Sequence, residues 1–195
     1  MTRFVIPEAV LFIRGSMMAT IVAAGACLPD PVHDRAVERL GGESSAGTSG
    51  FHRAGQPCAT CHNAKDGPAQ SDFSAAGTIF ASPSSLVGVD GVTVELVDSA
   101  GTSPVPVVTN CVGNFWVLRS QWNPVLPIAS VRLHANGVIR EMKSLIGGAP
   151  SCADCHEAKT TPQDPLSRVG PVIMFDGPAP QGPAPICPVD PVLHP

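Results

Sequence analysis

The chain has 195 residues, of which only 14% are charged, with 21 Pro, 19 Gly, no Tyr and a formal net charge of −4. Low charge density and abundant turn formers argue against a helical bundle and for short strands with many loops. The acidic balance, without a basic run or an aromatic-studded groove, excludes nucleic acid as a partner.

Residues 1–26 have the order of an export signal. Arg3 and Arg14 flank Glu8 in an irregular basic region, and an apolar stretch from Met17 to Ala24 follows. That stretch is too short to span a bilayer and has the length of a signal h-region. It ends in Gly25 and Ala26, directly before Cys27. Ala24-Gly25-Ala26 fits ordinary signal-peptidase cleavage. The small-small-Cys ending also resembles the lipobox of bacterial lipoproteins, which implies lipidation of Cys27, although Ala24 stands where Leu is usual. Either route implies export; the lipobox adds a lipid anchor at Cys27, at the periplasmic or outer-membrane surface. Residues 27–50, with Pro29, Pro31 and a Gly/Ser-rich run after Gly41, are expected to form a flexible tether.

Two pentapeptides then carry the chemistry. Cys58-Ala59-Thr60-Cys61-His62 and Cys152-Ala153-Asp154-Cys155-His156 both have the pattern Cys-x-x-Cys-His. Behind an export signal this pattern is the attachment signal for haem c: the thiols bond the haem and the His supplies an axial iron ligand. Residues 51–70 and 148–165 are therefore expected to be the two haem segments, holding two covalently bound haems through Cys58, Cys61, His62, Cys152, Cys155 and His156. Paired Cys-x-x-Cys knuckles can also bind zinc, but with roughly 15–20 residues between the pairs. Here the pairs lie much further apart, and His follows immediately in both. A thioredoxin-like motif would need a βαβ setting, for which there is no pattern.

Residues 71–147, between the motifs, are predicted to be β structure. The segment from Phe73 to Phe80, with Gly77 inside, opens it. Val92, Val94 and Leu96 alternate with Thr93, Glu95 and Val97 as in a half-buried strand. Pro104 to Thr109 is an expected edge strand, because Pro104 and Pro106 cannot donate to a ladder. Gly113 to Leu118 supplies another strand. Asn136-Gly137 is a preferred type I′ turn, so residues 131–135 and 138–142 should form a hairpin. That turn pairs Leu133 with Arg140 and Val131 with Met142 on one face. On the other it pairs His134 with Ile139, and Arg132 with Glu141 as an ion pair. At least five strands without intervening helices suggest a small sandwich. The closing residues 166–195 are a Pro-rich tail.

A resemblance rests on three runs: Ala76-Gly77-Thr78-Ile79-Phe80, Gly91-Val92-Thr93-Val94-Glu95-Leu96-Val97-Asp98, and Thr109-Asn110-Cys111-Val112-Gly113-Asn114-Phe115. Their succession resembles a carboxypeptidase-regulatory-like or transthyretin-like β-sandwich, apart from Cys111, which replaces a small or polar residue. With the two haem motifs around it, the chain from about residue 51 to 175 is similar to bacterial multihaem cytochrome c lipoproteins that insert such a sandwich between haem sites. The resemblance implies a mainly β fold, an Ig/transthyretin-like sandwich flanked by two short haem-attachment segments.

Candidates for the second axial ligands are His33, His52, His134, His194, Met142 and Met174. His52 precedes the first motif on a loop-like segment where the resembling cytochromes often carry a His, and it could serve either haem. Met142 closes a strand where that family tends to have Met, although it could equally fill the core. His134 should face outward, His33 lies in the expected tether and His194 in the tail. Of the seven cysteines, Cys111 and Cys187 are left over, and in an oxidising compartment they either pair or remain separate thiols.

Three functions follow. The first is electron transfer without substrate chemistry, between redox partner proteins of the envelope and with the chain held at a membrane by its anchor. The second is docking within a larger assembly of multihaem cytochromes or a filament. The third is a dihaem peroxidase-like enzyme, for which the chain is short. An electron carrier rather than an enzyme is expected, on fold-level analogy.

Overall fold

The computed structural model describes residues 30–42, 49–83, 85–148, 150–156, 169–177 and 187. The signal segment, Cys27, His194 and most of the Pro-rich tail lie outside the described residues.

The first element corrects the expectation of a tether over residues 27–50. Pro31–Arg39 is an α-helix, α1. Asp30 caps it through Oδ1, which accepts from the Val32 and His33 amides, and Pro31 sits where a missing N–H costs nothing. Arg39 in the last turn suits the helix dipole. The Pro and Gly content concealed these helix signals, and tertiary bonds reinforce them. His33 Nε2 lies 2.7 Å from the Thr60 carbonyl, and the Arg53 guanidinium donates to the Leu40 and Gly41 carbonyls. The helix is thus docked on the first Cys-x-x-Cys-His turn.

The rest is mainly β. The strands are β1 (Phe73–Thr78), β2 (Phe80–Ser82), β3 (Ser85–Gly88), β4 (Thr93–Asp98), β5 (Val107–Val108), β6 (Asn114–Leu118), β7 (Ile128–Ala135) and β8 (Val138–Glu141). Four form an antiparallel sheet in the order β5-β4-β7-β8, while β1 pairs with β6 and β2 with β3. Val94, Leu96, Ile128 and Leu133 of the large sheet share one core with Ala75, Phe115 and Val117 of the β1–β6 pair. The arrangement is compatible with a β-sandwich.

The β7–β8 hairpin has the register that Asn136-Gly137 dictates: Arg132 opposes Glu141, Leu133 opposes Arg140, and His134 opposes Ile139. Both turn residues have positive φ, 49° and 75°, as a type I′ turn requires. Arg132 and Glu141 form the cross-strand ion pair at 3.1 Å. The predicted edge strand is shorter than expected. Only Val107 and Val108 pair with β4, beyond the two prolines that cannot donate. The β2–β3 pair was not anticipated, because Pro83 interrupts the apolar pattern between them.

β1 is buried on both faces, unlike a strand with one solvated side. β1 contacts both Cys-x-x-Cys-His turns, and Cys152 of the second packs against the core that Ala75 joins. The strand's small residues, Ser74, Ala75, Ala76 and Gly77, make room for that approach.

Candidate haem-attachment site

Each Cys-x-x-Cys-His motif forms a turn of 3₁₀ helix, over Cys58–Thr60 and over Cys152–Asp154. In both, the His amide closes back on the first Cys carbonyl, at 3.0 Å for His62 and 2.7 Å for His156. That closure gathers the two thiols and the His within one turn.

The two turns meet on β1. Ala76 bridges to Ser151, and its amide donates to the Pro150 carbonyl. Any Cβ on Gly77 would stand 2.5 Å from Cys152 Sγ, so the strand must be glycine where the second motif crosses it. The turns also bond each other: the Ala59 amide donates to Ser151 Oγ at 2.7 Å, although the residues are 92 apart in sequence. Ser151 also caps its own turn reciprocally with Asp154. Asp154 is thus a capping group. Replacing Ser151 with Ala leaves the buried Ala59 N–H without its partner and should cost about 1–3 kcal/mol of stability, measured by urea unfolding.

The histidines are oriented by their Nδ1 atoms. His62 Nδ1 lies 2.6 Å from Ser71 Oγ, and His156 Nδ1 lies 2.9 Å from the Gly170 carbonyl. This is how proteins commonly fix a metal-binding imidazole, with Nδ1 engaged and Nε2 presented to the metal. His62 also stacks on Phe73 with ring centroids 4.0 Å apart. Neither Ser71 nor Gly170 was foreseen, because nothing in a linear pattern marks a residue that merely orients another side chain.

His52 lies beside His62, its ring centroid 5.9 Å away and its plane 23° from parallel. Of the two motifs, the structure therefore places His52 next to the first. Its Nδ1 bonds the Ser49 carbonyl.

Around the second motif lies a cavity of about 800 Å³ lined by Ala75, Leu96, Leu133, Met142, Cys152 and His156, among others. Its size falls within the range of small-molecule and cofactor pockets, and its walls suit a flat apolar macrocycle. Arg140 and Lys143 also line it and offer cations to the carboxylates that haem carries. Arg140 is itself paired with Asp176 at 2.6 Å. The residues present therefore fit the group, with His156 and Met142 on one cavity. Met142 is half-buried, and its amide donates to the Val131 carbonyl.

The other candidates are elsewhere. Met174 is fully buried within the core cluster, and His134 pairs with Glu95 across β4 and β7 at 3.0 Å. Cys111 and Cys187 are joined by a disulfide with Cα atoms 5.4 Å apart. Among the described residues no three His, Cys, Asp or Glu side chains gather as a metal cage, and haem iron needs only axial ligands. Nor is any helix among them long and apolar enough to cross a membrane.

Burial pushes the Cys58 thiol up to about 11 and the Cys152 thiol up to about 12, and neighbouring Cys58 adds to the effect on Cys152. Both thiols stay protonated in the folded, haem-free chain at neutral pH, whereas Cys155 is exposed. Alkylation of that folded chain should reach Cys155 well before Cys58 and Cys152, as peptide mass mapping would show. These raised values also set a pH trend. The haem-free fold keeps their contribution below the unfolded thiol value of about 8.5 and loses it as pH climbs towards the folded values.

Compared with known proteins, the chain matches no family model, no curated protein and no solved structure.

Proposed function

We propose that the chain is a dihaem c-type cytochrome that transfers electrons in the bacterial cell envelope, tethered at Cys27. The observation that carries this reading is the meeting of both Cys-x-x-Cys-His turns on β1, joined by the Ala59–Ser151 hydrogen bond. Neighbouring attachment turns put two redox groups within one small fold, as a relay between redox partner proteins requires. The finer architecture, an Ig/transthyretin-like sandwich flanked by haem segments, belongs to the same proposal.

Haem iron, when bound, supplies reversible one-electron exchange. Cys58, Cys61, Cys152 and Cys155 would anchor the group covalently, and His62 and His156 would each hold an iron. His52 is assigned to the first haem and Met142 to the second. Two imidazoles hold the potential low and a thioether raises it, so the sites differ in potential.

Spectroelectrochemical titration of the wild type, His52→Ala and Met142→Ala tests the assignment. The wild type should titrate in two waves, with His52→Ala moving the lower and Met142→Ala the higher. Unchanged spectra and potentials in both variants would refute the ligand assignments.

A further inference from the structure

We infer that Asn114 is a positioning residue: a buried amide of the sheet that fixes the loop carrying His52. The inference rests on the proposed haem function. Asn114 begins β6, directly opposite Thr78 of β1, and is 7% exposed. Both ends of its side chain are committed. Oδ1 accepts from Thr78 Oγ1 at 2.7 Å, while Nδ2 donates to the His52 carbonyl at 3.0 Å and the Gly50 carbonyl at 3.2 Å. Thr78 Oγ1 in turn accepts from the Gly55 amide at 2.7 Å, and Asn110 Nδ2 donates to the Gly50 carbonyl at 2.8 Å. The sheet therefore grips the loop before His52, at His52 and after it.

Only a primary amide suits position 114. It must accept from Thr78 and donate twice to backbone carbonyls, which neither a carboxylate nor an apolar side chain can do. The grip also matters conformationally. Arg53, adjacent to His52, has φ of 53°, in the left-handed region that non-glycine residues seldom occupy. Its guanidinium is engaged with Leu40, Gly41 and Gln56. A loop bent in this way relaxes unless it is held from several sides. What the network fixes is the position of His52 beside His62, and thus whether both histidines would be available to hold the first haem.

The test is Asn114→Asp, which keeps the acceptor for Thr78 and removes both donors, with Asn114→Ala alongside it. Ser74→Ala is the control, because Ser74 is also buried on β1 and, among the described residues, its hydroxyl bonds only the Val117 carbonyl. Both Asn114 variants should retain two haems by mass. One haem should lose its low-spin signal in part, bind cyanide or imidazole, and reproduce the His52→Ala spectrum. In the double variant with His52→Ala, Asn114→Asp should add nothing. In the haem-free protein, amides of residues 50–56 should exchange roughly tenfold faster in Asn114→Asp, as expected for lost hydrogen bonds. Ser74→Ala should lower stability and leave both haems low-spin.

If the Asn114 variants lose stability with wild-type spectra while His52→Ala is altered, the positioning role is refuted and the haem reading stands. A wild type without covalent haem overturns both. If an Asn114 variant fails to load haem, exchange rates in the haem-free chain decide, and unchanged rates at residues 50–56 refute the role.

Discussion

A chain with both Cys58 and Cys61 replaced by Ala is expected to mature with one covalent haem instead of two, and to lose the lower-potential wave. Cys58 neighbours Cys152, but the second motif is held by other groups. Its cavity is bounded by β1, β4, β7 and the segment after β8, and its His156 is oriented by the Gly170 carbonyl. The joint between the turns also survives, because Ser151 accepts from the Ala59 backbone N–H and not from a cysteine. The reciprocal change, Cys152 and Cys155 to Ala, should remove the other haem at a greater cost in stability. It leaves the large apolar cavity beside the core without the group that would fill it, and unfilled apolar space is destabilising in proportion to its volume. Denatured-protein absorbance and mass give the haem count, and urea unfolding gives the stability order. Loss of both haems from either double variant would show that the motifs mature as one unit.

Breaking the Cys111–Cys187 disulfide is expected to lower stability by about 2–4 kcal/mol. The bridge closes a sequence separation of 76 residues, and a crosslink across a long loop removes much unfolded-state entropy in the chain-entropy model. Cys111 lies between Asn110, which holds the Gly50 carbonyl, and the start of β6 at Asn114. Cys187→Ser should therefore also loosen the loop that carries His52. Urea curves of the wild type and Cys187→Ser, each with and without reductant, measure both the cost and its origin. The wild type should fall to the variant's curve on reduction. Coincident curves throughout would mean that the bridge contributes nothing.

The parts of this fold governed by short-range rules were legible in the sequence. Asn136-Gly137 set the β7–β8 register, and the Val92/Val94/Leu96 alternation set which face of β4 is buried, because a turn type and a period of two each admit one solution. α1 was not read, since Asp30, Pro31 and Arg39 are helix-end signals embedded in Pro- and Gly-rich sequence. The helix is steadied by distant groups, namely Thr60 for His33 and Arg53 for Leu40. The two Cys-x-x-Cys-His pentapeptides were evident in the sequence, but their meeting was not. It depends on Ser151 reaching Ala59 and on a small-residue strand that both turns can approach. Gly77 was visible as an oddity within a strand, and its reason, the sulfur of Cys152, lies far away in sequence. Asn114, Ser71 and Gly170 carry no motif because they act only through His52, His62 and His156. The role of Asn114 exists only once the fold has brought the loop before the first motif against β6.

The central claim is that both pentapeptides hold haem, and intact mass under denaturing conditions tests it most directly. The full chain, exported in a host with a c-type haem maturation system, should carry two haems that survive unfolding. Peptide mapping should place them on Cys58/Cys61 and Cys152/Cys155. Four free thiols at these positions, or a metal ion released on denaturation, would contradict it.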